Sequence, residues 1–260
     1  MPRTFTTASS EVIVTGLGAL GFTSNVTMAS IVRNDTGETS VRHSVVSVGD
    51  SNTKGYSLVL EQTSGLIIAG SNGSVQVAGT LAATAATGWV LVAFTKATGT
   101  ATPRFHLYNY GTNTASHENA GGTLADPTTP VTRAQIGRRQ TTSTPRYYQG
   151  DIAAVGVWNA VLTDAQFEAL AFSLSAWFAV QPKGLWLLDQ SAVAQTVIDL
   201  TGGGANQSSI TGTTLGAVSV PVFSYGAQPR RRNAIVAAPP PGGTVESYEF
   251  LGGGYFPAWG

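Results

Sequence analysis

Short apolar runs recur along the chain, each closed by Gly, Asn, Ser or Asp. EVIVTGLGALG (11–21) opens as a strand and a glycine-rich turn, and NVTMASIVR (25–33) continues as a β-branched, mostly buried strand. RHSVVSVGD (42–50), GYSLVLEQ (55–62), GLIIAGS (65–71) and SVQVAG (74–79) follow at short spacing. β-Branched runs between such turn residues predict strands. WVLVAFTK (89–96) is apolar on both faces, as a strand covered on both sides must be. RFHLYNYG (104–111) alternates, with Phe105 and Leu107 on one face and His106 and Tyr108 on the other. RAQIGRR (133–139) and GDIAAVGVWN (150–159) complete the series. Many short strands with frequent turns predict an all-β sandwich or barrel.

One segment changes period. In LTDAQFEALAF (162–172), Thr163 stands at an N-cap with Gln166 three residues on, the spacing of a capping box. Leu162 can staple onto Phe167, and Phe167, Leu170 and Ala171 form one apolar face at helical spacing. Asp164 falls in the first turn, where a carboxylate favours the helix dipole. Beyond it, SAWFAV (175–180), GLWLLDQ (184–190) and TVIDLTGGGANQSSITGTTLG (196–216) read as further strands and glycine-rich turns. The pattern closes near Tyr225, which divides the chain into a sandwich, 1–226, and a C-terminal arm, 227–260. The arm runs from Arg230, Arg231 and Arg232 through a proline run into a glycine-rich string with Tyr248, Phe250, Tyr255, Phe256 and Trp259. Proline extends such a stem and glycine loosens it. Five aromatic side chains left in water are costly, so the arm is expected to lie on a protein neighbour, with the arginines as a charged anchor.

Composition narrows the function. Only 11% of residues are charged, against roughly 25% in typical domains, while 42% are hydrophobic, enough for a core. Fourteen basic residues balance fourteen acidic ones, which leaves no excess to neutralise phosphates and argues against nucleic-acid binding. Without cysteine there is no disulfide or thiolate metal site. The opening MPRTFTTASS carries no apolar run of the signal-peptide kind, and no stretch of about 18 apolar residues is present to span a membrane.

The order GWVLVAFTKATGTATPRFHLYNYG, then YYQGDIAAVGVWNAVLTDAQFEALA, resembles the laminin-G-like domains of the concanavalin A-like lectin/glucanase superfamily. Gly150, Ile152, Val155, Val157 and Trp158 fit the family's glycine-led strand, and Leu162, Thr163, Gln166 and Leu170 its short capped helix. The resemblance covers roughly residues 5–172 and implies a jelly-roll sandwich of two antiparallel sheets. GLWLLDQSAVAQTVIDLTGGGANQ looks like a second family feature, but it follows the helix instead of preceding the domain. With the arm, the layout is similar to accessory structural proteins of tailed bacteriophages. That likeness implies a non-enzymatic virion protein, either head decoration or minor tail component. The expected partners are other capsid or tail proteins, further copies of the chain, and surface glycans. A free carbohydrate-binding module and a glycoside hydrolase are the alternatives.

Candidate chemistry is sparse. GLGALG (16–21) matches a dinucleotide-binding G-x-G-x-x-G, with Asp35 and Glu38 downstream, but no helix pattern follows it, so a glycine-rich turn is expected. The carboxylates are scattered singly; no E-x-D-x-x-E triplet supplies the pair that a glycosidase needs. No cofactor is expected. The resemblance allows calcium, for which Asp50, Asn52 and Asp126 are the candidate oxygen ligands, although Asp50, Asp126 and Asp199 read first as turn formers. His43, His106 and His117 are too dispersed to indicate a metal site. His106, Tyr108 and Tyr110 share a strand face and are the candidate sugar-stacking set, while Trp89 and Trp158 are assigned to the core.

Overall fold

The computed structural model describes residues 2–215 apart from 6–10, 21–24, 35–42, 50–54, 62–63, 72–74, 128–130, 140–145, 189–196, 202–206 and 212. The chain divides into Met1–Gly226 and Ala227–Gly260; the arm, and with it every arm residue named above, lies outside the described residues. In chain order the strands are β1 (Arg3–Phe5), β2 (Glu11–Leu20), β3 (Val26–Asn34), β4 (His43–Val48), β5 (Tyr56–Leu60), β6 (Leu66–Ser71), β7 (Val75–Ala82), β8 (Trp89–Lys96), β9 (Arg104–Asn109), β10 (Thr114–Asn119), β11 (Val131–Ile136), β12 (Arg138–Arg139), β13 (Arg146–Tyr147) and β14 (Gly150–Trp158). Helices α1 (Asp164–Leu170) and α2 (Leu174–Ala179) follow, then β15 (Gly184–Leu187), β16 (Gln207–Thr211) and β17 (Thr213–Leu215).

Among the described residues the strands form two large antiparallel sheets and one small ribbon. The first sheet runs β10-β9-β8-β3-β14-β1-β17, with β15 also on β14. The second runs β16-β2-β11-β4-β5-β6-β7, and β12 pairs with β13. β1 and β15 share one edge of β14, β1 along Gly150–Ile152 and β15 along Ala154–Val157. The segment that stands after the helix is thereby built into the sandwich, and Trp186 is fully buried in its core.

The central strands of the first sheet, β8 and β14 among them, are apolar on both faces because both are covered. Val90, Val92 and Phe94 of β8 point into the core between the sheets, where they meet Val46, Leu58 and Ile67 from the second sheet. Leu91 and Ala93 point the other way, into a second core with Phe167, Leu170 and Trp177 of the helices. In β14 the alternation slips once. Ala153 and Ala154 both face the helices, while Ile152 and Val155 face the sandwich core. The register with β3 shifts at the same place, between Ile152 and Ala154, the signature of a β-bulge.

Two expectations change. GLGALG is not a turn: Gly16–Leu20 continues β2 to its end, and Gly21 lies outside the described residues. SAWFA of SAWFAV falls in helix α2, with Val180 as its extended C-cap, and Ser173 caps the N-terminus by accepting the Ser175 N–H. Trp177 lies fully buried beneath it and donates to the Leu170 carbonyl. An apolar run this short does not by itself separate strand from helix; the tertiary surface under it did.

Candidate functional site

Helix α1 crosses β9 and β10, and its start is held by side chains from several elements. Thr163 Oγ1 accepts the Gln166 N–H and Gln166 Oε1 accepts the Thr163 N–H, closing the capping box. The buried Thr27 hydroxyl accepts the Leu162 N–H and donates to the Ala160 carbonyl. Arg104, from the start of β9, donates twice to the Asp164 carboxylate, Nε at 2.8 Å and Nη2 at 2.5 Å. That fork holds the Asp164 carboxyl below its ordinary range, the Arg104 hydrogen bonds outweighing the opposing effect of burial.

Beneath the helix, His106 of β9 lies directly opposite His117 of β10 in the ladder. Their Nδ1 atoms are 2.9 Å apart. His106 is fully buried, stacks on Phe167 with ring centroids 5.0 Å apart, and places Nε2 at 3.2 Å from Thr95 Oγ1. His117 Nε2 lies 3.0 Å from Glu168 Oε1 on α1. The accounting of donors assigns the tautomers. Glu168 accepts, so His117 carries its proton on Nε2 and offers a bare Nδ1. His106 then donates from Nδ1 and accepts the Thr95 hydroxyl at Nε2. Burial is the main cause that drives the His106 pKa down to about 3; the Asp164 carboxylate opposes the shift and the Arg104 charge adds to it, so the ring is neutral at physiological pH. Asp164 Oδ1 closes the cluster, 3.6 Å from His106 Nδ1 and 3.8 Å from His117 Nδ1.

At the end of β8 a second polar centre forms. The buried Lys96 ammonium donates to the carbonyls of Ala97 and Gly99 and to Asp126 Oδ1. Asp126 also accepts from the Tyr56 hydroxyl at 2.7 Å, the Gly99 N–H at 2.5 Å and the Thr98 hydroxyl at 3.3 Å. Between the two centres lies a recess of about 390 Å³, lined by Thr95, Lys96, Thr102, Arg104, Val161 and Asp164 among others. It combines hydroxyls and an ion pair with an apolar wall in which Val161 is exposed.

The family model of the Concanavalin A-like lectin/glucanases superfamily matches residues 6–168, more than half of the chain. The chain belongs to this superfamily. No curated protein sequence matches it. Among solved structures, a carbohydrate-binding protein from Bacteroides ovatus ATCC 8483, itself described only by inference, superposes with a TM-score of 0.56 at 16% identity, over 85% of this chain and 61% of the other. The chain thus spans about three fifths of that relative's length. The CBM40 of a Ruminococcus gnavus IT-sialidase, bound to α2,3-sialyllactose, gives 0.44 at 16% identity over 65% and 97% of the two chains. A tailspike protein of an Escherichia coli O157:H7 bacteriophage gives 0.45 at 13% identity over 72% and 30%. At these identities the likeness shows the fold alone.

Within this lectin-like sandwich the expected site residues are distributed as follows. His106, Tyr108 and Tyr110 do share a face, but α1 and the segment after it close that face. His106 and Tyr108 are buried, Tyr110 is half-buried, and Phe172 covers Tyr108 edge-on with centroids 5.2 Å apart. This corrects their assignment as an open stacking surface: an amphipathic helix was already docked where a sugar would lie. Burial also raises the hydroxyl pKa of Tyr110. For calcium, Asp50 and Asn52 lie outside the described residues. The Asp126 carboxylate does not fit a calcium ligand, because its lone pairs face four hydrogen donors and the Lys96 ammonium supplies its cation. Asp199 does form a turn, accepting the Thr201 N–H at 3.0 Å. Trp158 is fully buried and Trp89 partly so. The histidines correct the sequence reading most: His106 and His117, eleven residues apart, meet across a hairpin. The alternation of TASHEN opposite RFHLYN was the available signal, and the polar strand β10 hid it.

Proposed function

We propose that the chain is a non-enzymatic structural protein of a tailed-bacteriophage virion, a head decoration or minor tail component. Its lectin-like sandwich contacts surface glycans, and residues 227–260 attach it to other capsid or tail proteins or to further copies of itself. The observation that carries the glycan contact is the superfamily membership together with the recess between β8, β9 and the start of α1. Its volume falls within the roughly 300–1,000 Å³ of ordinary ligand sites. Arg104 and Asp164 supply a fixed fork of donors and acceptors, and Val161 an apolar wall. A sugar needs both kinds of contact.

The carboxylates support the non-enzymatic part of this reading. Among the described residues with placed side chains, Glu61, Glu118, Asp126, Asp151, Asp164, Glu168 and Asp199 each hold a hydrogen-bond partner of their own. Each is thus committed to a donor of its own, whereas glycoside hydrolysis uses an acid and a second carboxylate facing each other across the bond.

The test has two arms. A glycan array with full-length protein should show binding that Val161→Asp and Thr102→Trp weaken; unchanged binding in both removes the recess from the proposal. A chain lacking residues 233–260 should fail to incorporate into particles. If it incorporates like the full-length chain, the attachment role of the arm is wrong. Glycan binding with no particle association in the intact protein would make it a free carbohydrate-binding module.

A further inference from the structure

The two histidines beneath α1 do not line the glycan recess, although their neighbours Thr95 and Asp164 do. His106 Nδ1, His117 Nδ1 and Asp164 Oδ1 all lie within 4.8 Å of one another. They are separated by 2.9, 3.6 and 3.8 Å. Ligands about 2.0–2.1 Å from a tetrahedral zinc ion are about 3.3 Å apart, so the three atoms need to move by only about half an ångström to take one ion.

We infer that His106 Nδ1, His117 Nδ1 and Asp164 Oδ1 form a binding site for a divalent transition-metal ion of the zinc class, which clamps helix α1 onto β9 and β10. Two imidazoles and one carboxylate are a ligand set that zinc accepts, with the remaining position left to water. The outer contacts are already built. His117 Nε2 is held by Glu168, and His106 Nε2 by Thr95, the arrangement that aims and orients metal-bound histidines. Phe167 packs on both rings, with centroids 5.0 and 5.8 Å away, and fixes their planes.

The proton balance closes without a further reagent. In the metal-free cluster the His106 proton sits on Nδ1, between the two rings. Metal binding moves it to Nε2, where it donates to Thr95 Oγ1 while that hydroxyl turns to act as acceptor. His117 keeps its proton on Nε2. The ion replaces the shared proton, and no net proton is released. Arg104 still donates to Asp164, so Oδ1 would serve the guanidinium and the ion together, which moderates affinity. Entry is through the recess, because Asp164 lines it and is part-exposed while His106 is sealed beneath.

The test uses the full chain, stripped with a chelator and titrated with zinc chloride by calorimetry and with cobalt chloride by visible absorption. The expected result is one equivalent per chain, with the intense absorption of four-coordinate cobalt and a rise in Tm on zinc addition. His117→Gln should abolish the cobalt band and weaken zinc by at least about 100-fold, since outer contacts alone are worth about 10–100-fold. His43→Gln, in β4 of the other sheet, should change neither. No one-equivalent binding, or binding that His117→Gln leaves intact, overturns the inference. Should His117→Gln fail to fold, nitrogen-15 imidazole spectra of the wild-type protein decide. Zinc must shift two of the three histidines at Nδ1 with Nε2 protonated; two unshifted histidines overturn the site.

Discussion

Lys96 shows how one residue converts a loop carboxylate into a structural centre. Its side chain is fully buried while that of Asp126 is 18% exposed, so the pair is close to the case in which removing one partner strands a charge. Asp126→Asn should cost about 3 kcal/mol in urea denaturation at neutral pH. Burial by itself would raise the Asp126 pKa; hydrogen bonds from Lys96, Tyr56 and Gly99, with the Lys96 charge, outweigh it and hold it low. A carboxylate with a depressed native pKa stabilises fully above its unfolded pKa of about 3.9 and loses that contribution as pH falls through the native value. Stability should therefore decline below about pH 4 in the wild type and decline less steeply in Asp126→Asn. Gly55 carries a different constraint. Its φ is +92° and an added Cβ would lie 1.7 Å from the Val48 carbonyl oxygen. Gly55→Ala is expected to lose more than about 2 kcal/mol, read as a shifted urea midpoint with unchanged slope.

At the scale of elements, α1 is the part most fully written in local sequence, and also the part whose purpose was not. Its capping box, staple residues and apolar face are all present as expected. Thr163→Ala should cost about 1 kcal/mol through loss of the cap. Phe167→Ala should cost about 3–5 kcal/mol, because Phe167 is fully buried in the second core and holds both imidazoles. Near-ultraviolet circular dichroism against urea distinguishes the two, since only the second change loosens the aromatic packing. What α1 covers could not be read from its own residues. Tyr108 and His106 look exposed in RFHLYNYG because alternation marks two faces without saying which one is wet.

At the scale of the whole molecule, the sandwich and the arm make separable predictions. Residues 1–228 should fold with the sandwich intact, and light scattering should find the full-length chain assembled and the truncated one monomeric. Equal masses would turn the arm from a device for self-assembly into one that awaits a different partner. The sandwich itself gains from closing late in sequence. β15 returns after the helices to the edge of β14 beside β1, so the end of the fold is sealed by strands distant in the chain.

The short β-branched runs and their turn residues determined an all-β sandwich, since period-two burial and turn chemistry are local properties of a chain. The same holds for the capped helix, and for WVLVAFTK as a strand covered on both sides. Tertiary structure alone decided which face each alternating strand turned to solvent, that SAWFAV coils, and that Gly16–Leu20 stays extended. It alone paired Asp126 with Lys96 and brought His106, His117 and Asp164 within reach of one another. These are contacts across a hairpin, a helix and a loop. Their partners are set by strand register and by how the helix docks, and neither is encoded in the spacing of the residues themselves.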